Sequence, residues 1–133
     1  MTQVGQMYKV GAMGAKQGYR VFGKHVYGNL YGCDRDLLSN PDYLIDVVRN
    51  AAREGRMTLL DVKAWHIMPG VSVVGVILES HITIHTWPEH SFATVDVYSC
   101  GKHTSPEKAF MYIVRALRAS RFDYEITDRS YLE

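Results

Sequence analysis

"VSVVGVILESHITIHTWPEHSFATVDVYSC" occupies residues 71–100. Its β-branched and aromatic residues fall into three strand-like runs, 71–78, 81–87 and 92–100. Residues 71–87 are too long for one unbroken strand, so the chain must turn near Glu79 and Ser80. Pro88 and the polar residues after it mark a second turn. If 81–87 and 92–100 form a hairpin, Trp87 opposes Phe92, Ser80 opposes Ser99 and Glu79 opposes Cys100. A thiol, a hydroxyl and a carboxylate then meet at one end of the sheet.

Further out, residues 24–34 suit a strand, and 57–68 suit another that ends at Pro69-Gly70. Residues 39–55 read as a helix. Pro41 fits its first position, with Asn40 or Ser39 as the cap and Gly55 as the stop, and Leu44, Ile45, Val48, Ala51 and Ala52 form an apolar stripe. A second helix is expected over 103–120, with Thr104 and Glu107 as a capping box and Phe110, Ile113, Val114 and Leu117 facing the core. Residues 121–127 form a closing strand before a short polar tail. The order β-α-β-β-β-β-α-β indicates an α+β fold: an antiparallel or mixed sheet with two helices packed on one face. The other face must be covered or stay polar. Residues 1–20 lack periodicity and read as a flexible lead-in, leaving 21–133 as a single domain.

The chain has 133 residues, enough for one core without staples. Its net charge of +1, with acids and bases interspersed, gives no footprint for nucleic acid or an anionic membrane. No apolar run reaches the roughly 18 residues of a membrane helix, and no signal-peptide core precedes the domain, which points to a cytoplasmic protein. Cys33 and Cys100 are then expected as free thiols, with Cys33 a small core residue.

His81 and His85 first suggest a metal site. On a strand they lie roughly 13 Å apart at about 3.3 Å per residue, too far to share one zinc. A serine hydrolase is equally poor, because "LESHI" has neither the glycines nor the following helix of a nucleophile elbow. Tyr27, Tyr31 and Trp65 are most simply core aromatics.

Residues 70–101, with "ESHITIHTWPE" and "DVYSCG" together, closely resemble the small prokaryotic S-adenosylmethionine decarboxylase family, whose members are pyruvoyl-dependent. The similarity extends through "HVYGNLYGCD", "MTLLDV" and "KAFMYIVRALRASR", over about residues 24–125. The resemblance implies that family's α/β sandwich and a self-cleaving precursor. Cleavage at Glu79–Ser80 would give a β chain, 1–79, and an α chain, 80–133. Ser80 would become a covalent pyruvoyl group that forms a Schiff base with the substrate, with neither metal nor pyridoxal phosphate. By position, His85 matches the proton acceptor in processing, Ser72 a serine that supports it, and Cys100 the proton donor in catalysis. A regular strand would put Ser80 and His85 on opposite faces, so a bend or bulge is expected between them. The family also implies a homodimer of αβ protomers with active sites near the interface.

The resemblance leaves two substrates in polyamine biosynthesis. The twenty-residue lead-in, the short tail and Asn29, where S-adenosylmethionine enzymes usually carry glutamate, lean towards a crenarchaeal arginine decarboxylase branch that makes agmatine. The alternative is an S-adenosylmethionine decarboxylase supplying the aminopropyl donor for spermidine. A non-catalytic, uncleaved partner subunit is a third reading, weakened by the joint presence of Ser80, His85 and Cys100.

Overall fold

The computed structural model describes residues 19–132. Residues 1–18 of the expected lead-in lie outside the described residues. The end of that lead-in is strand β1 (Tyr19–Val21), which pairs antiparallel with β8 (Tyr131–Leu132), so the tail is not merely polar coil.

The remaining strands are β2 (Lys24–Tyr31), β3 (Leu59–Ile67), β4 (Gly70–Ile77), β5 (Ser80–Trp87), β6 (Phe92–Ser99) and β7 (Arg121–Asp128). They form one six-stranded sheet in the order β3-β4-β5-β6-β2-β7, with every pairing antiparallel. Helices α2 (Pro41–Glu54) and α3 (Pro106–Ala116) pack on one face, and a single turn, α1 (Arg35–Leu38), precedes α2.

Alternation along the strands decides what the helices cover. Val71 and Val73 of β4, Ile82 and Ile84 of β5, Val95 and Val97 of β6, and Val26 and Leu30 of β2 are buried. They meet Leu44, Val47, Val48, Ala51 and Ala52 of α2, and Phe110, Ile113 and Val114 of α3. Removing this apolar surface from water is the main source of stability. Gly75 permits the close approach of α2, because a side chain there would press on Val48. The intervening residues, including Ser72, His81, Thr83, His85, Asp96, Tyr98 and Tyr27, lie on the helix-free face.

Four local expectations change. The first strand ends at Tyr31 because Gly32 turns left-handed (φ 65°), and Asp34 then caps α1 by accepting the Asp36 and Leu37 N–H groups. Helix α3 is shorter than 103–120: Pro106 takes its first position, and Ser105 caps it by accepting the Lys108 N–H. The Thr104–Glu107 box does not form, because Thr104 Oγ1 donates to the Gly101 carbonyl (2.6 Å) and Glu107 pairs with Lys24 (2.9 Å). Tyr27, Tyr31 and Trp65 are not core residues; the tyrosines are half-buried and Trp65 is exposed, all on the helix-free face. Among the described residues, no helix is long and apolar enough to cross a membrane.

Candidate active site

Leu78 and Glu79 form the two-residue link between β4 and β5, closed by the Ile77–Ser80 pair. Two-residue hairpins favour mirror-image turns, which need positive φ within the loop. Here the positive φ falls on Ser80 instead, at 155°, a region that glycine occupies freely and side chains rarely adopt. Such a conformation costs on the order of 1–3 kcal/mol and requires support from its surroundings.

That support is visible on both sides of the Glu79–Ser80 bond. The Cys100 N–H donates to the Glu79 carbonyl at 2.8 Å, and Ser80 pairs with Ser99, the register expected from the hairpin. Ser99 is fully buried. Its Oγ accepts the Gly101 N–H (3.1 Å) and shares a hydrogen bond with Thr104 Oγ1 (2.6 Å), fixing the loop that carries Cys100. The Cys100 thiol is half-buried beside the bond, whereas Cys33 is in the core, where burial raises its pKa to about 11. The Glu79 carboxylate is also buried, although it belongs to a hairpin loop. It accepts the Thr58 N–H (3.1 Å) on one oxygen, and its other oxygen meets His103 Nε2 (3.1 Å).

Ser72 and His85 are brought together at the opposite end of β5. They are direct cross-strand partners, and Ser72 Oγ shares a 2.9 Å hydrogen bond with His85 Nδ1. Beside them is a cleft of about 230 Å³ lined by Met68, Trp87 and Glu89 among others. No bulge joins the two sites, because β5 pairs in continuous register with β4 from Ser80 to His85 and with β6 from Ser80 to Trp87. Five residues of strand separate Ser80 from His85 by roughly 16 Å. His81 stacks near Tyr98 on the helix-free face, and burial, reinforced by His25, lowers its pKa. Among the described residues, no group of three or more His, Cys, Asp or Glu side chains could hold a metal ion. The anchors Thr58 and His103 were not legible in the sequence; the one hint was a glutamate placed next to a turn.

The fold, with its strained serine and thiol at a strand end, matches a known family. The family model for S-adenosylmethionine decarboxylase matches residues 24–130, and the chain belongs to that family. Among curated relatives, the S-adenosylmethionine decarboxylase proenzyme of Sulfolobus acidocaldarius is 63% identical over 84% of this chain and 91% of its own. That of Sulfurisphaera tokodaii is 58% identical over 89% of this chain and 97% of its own. The solved adenosylmethionine decarboxylase from Aquifex aeolicus superposes with a TM-score of 0.78 at 32% identity, covering 85% of this chain and 94% of that one.

These relatives overturn the arginine reading. Of the lead-in and the tail, the described residues Tyr19–Val21 and Tyr131–Leu132 form the β1–β8 pair, apart from the six-stranded sheet. Asn29 pairs with Thr94 and Asp123 near the far end of β2, whereas Lys24 of the same strand pairs with Ser99 beside the Glu79–Ser80 turn.

Proposed function

We propose that this chain is a self-cleaving, pyruvoyl-dependent S-adenosylmethionine decarboxylase, with Ser80 as the precursor of the pyruvoyl group. The observation that carries the reading is the Cys100 N–H on the Glu79 carbonyl, next to a serine held at φ 155°. Attack by Ser80 Oγ on the Glu79 carbonyl carbon turns the peptide into an ester, and charge develops on the carbonyl oxygen. A backbone N–H already aimed at that oxygen stabilises the charge at no reorganisation cost. Breaking the peptide link also frees Ser80 from its strained backbone. Removal of the Ser80 Cα proton by a base then expels Glu79 as a carboxylate, ending the β chain at residue 79 and starting the α chain at residue 80. The dehydroalanine left there tautomerises to an imine, which water hydrolyses to the pyruvoyl group with release of ammonia.

The residues fit the group that follows. A pyruvoyl carbonyl at this position would condense with the substrate amine and accept the electron pair released with CO₂. The thiol of Cys100, which is half-buried, would return a proton to the substrate carbon. Near the other pair, Met68 and Trp87 offer apolar walls for a flat group, and Glu89 offers a carboxylate for a hydroxyl or a cation.

Ser72 and His85 cannot reach Ser80 of their own chain across roughly 16 Å of regular strand. His85, polarised by Ser72, therefore serves as the processing base for a second copy, packed through the helix-free face about a two-fold axis. Intact-mass measurement and assay with carboxyl-labelled S-adenosylmethionine test the proposal together. Two chains and labelled CO₂ are expected. An uncleaved chain that still releases CO₂, or a cleaved chain that releases none, would refute it.

A further inference from the structure

We infer that His103 is a positioning residue for self-cleavage, holding the Glu79 side chain so that the scissile carbonyl stays on the Cys100 N–H. The inference rests on the self-cleaving reading and extends it to a residue outside the expected site.

Glu79 is 6% exposed in a hairpin loop, where a carboxylate would ordinarily extend into water. Three separate segments are shaped around it. The Thr58 N–H, just before β3, holds Oε1 at 3.1 Å. His103 Nε2, in the loop before α3, meets Oε2 at 3.1 Å. Gly101 lies beneath the side chain: a Cβ there would fall 2.8 Å from Glu79 Cγ and 3.0 Å from His103 Cε1. Glu79 also presents its main-chain carbonyl to the Cys100 N–H at 2.8 Å. Side chain and carbonyl share one residue, so anchoring the carboxylate limits rotation of the Glu79–Ser80 peptide plane. Without His103 one buried carboxylate oxygen loses its partner. The turn then gains by swinging the carboxylate into solvent, which draws the carbonyl away from Cys100.

The expected roles separate cleanly by segment. Cys100 supplies the N–H that receives charge, and His103 acts only through Glu79. After cleavage the two segments belong to different chains, because Glu79 ends the β chain and His103 lies on the α chain. The same contact then holds the new β-chain terminus in place.

Cleavage of freshly translated precursor, followed by intact mass, is the test. His103→Ala should slow cleavage about tenfold, the rate equivalent of one hydrogen bond to a charged group. His103→Gln, which keeps a side-chain N–H donor, should recover most of the rate. Imidazole added to His103→Ala should accelerate it, since His103 is 47% exposed and its vacated space opens to solvent. Gly101→Ala, which displaces the Glu79 side chain from the other direction, should also slow cleavage, and unchanged thermal unfolding of the His103 variants would show that the fold is intact. Cleavage of His103→Ala at the wild-type rate overturns the inference. So does slowing that neither the glutamine variant nor imidazole relieves. A wild-type precursor that never cleaves would refute the self-cleaving reading itself, a result distinguishable from either of these.

Discussion

Ser80 combines a reactive hydroxyl with a backbone angle, φ 155°, that suits glycine. The two properties can be separated by substitution. Ser80→Ala and Ser80→Gly both remove the nucleophile, so both should remain single uncleaved chains. Glycine relieves about 1–3 kcal/mol of strain at this angle but loses about 0.4–1 kcal/mol through the entropy of the unfolded chain. Strain outweighs entropy, so Ser80→Gly should be the more stable by about 1 kcal/mol, or about 4 °C in Tm. Differential scanning calorimetry of the two variants decides it, and an alanine variant at least as stable would show that the turn carries no strain. None of this strain was legible in the sequence. The residue types at 79, 80 and 100 were, because hairpin register brings them together. Ser80's φ depends on where the turn places its positive angle, and the Glu79 anchors come from Thr58 and His103, both distant in register.

Among the strands, the register of β5 on β6 was legible, though each strand's bound at the Ser80 end was off by one residue, because alternation and a proline-bounded turn leave only one register that buries Ile82, Ile84, Val95 and Val97. The ends of the helices were harder. Pro41 and Pro106 each stand at a first helical position, yet Ser105 and Thr104 compete to cap α3, and only the Thr104 bond to Gly101 settles the choice. Helix α1 escaped notice because four residues carry too little periodicity to read. The cap of α2 was legible only as Asn40 or Ser39; it is Asn40, whose Oδ1 accepts the Tyr43 N–H at 3.1 Å. Since α2 contributes five buried residues to the core, losing its cap should be felt globally. Asn40→Ala should lower stability by about 1 kcal/mol, whereas Asn40→Asp should be close to neutral. Urea denaturation of the uncleavable Ser80→Ala background measures both without interference from chain cleavage.

For the whole molecule, the decisive fact is that one sheet face carries the helices while the other is left open with Ser72 and His85 on it, and Ser80 stands at the far end of β5. Sequence alone showed that the second face needed a cover or a polar surface, but not that it divides Ser72 and His85 from Ser80. The expected bulge would have united them within a chain. Continuous pairing of β5 with β4 and β6 rules that out for the described residues, which is the ground for proposing a second copy as the source of the base. In the proposed dimer, a two-fold axis crossing β5 near Thr83 would exchange its ends and bring one copy's His85 to the Glu79–Ser80 turn of the other. This arrangement makes a prediction that no single-chain site can share. His85→Ala should stop cleavage when expressed alone, and Ser80→Ala should do the same. Co-expressed with distinguishable tags, the two should form mixed dimers in which the Ser80→Ala chain lends its intact His85. The His85→Ala chain, which keeps Ser80, should then be cut, while the Ser80→Ala chain stays whole. Random pairing places half of all His85→Ala chains in mixed dimers, so about half of them should be cleaved at equal expression. Intact mass of each tagged chain reads the result directly. A His85→Ala chain that stays uncut in demonstrated mixed dimers would mean that His85 acts within its own chain or not at all.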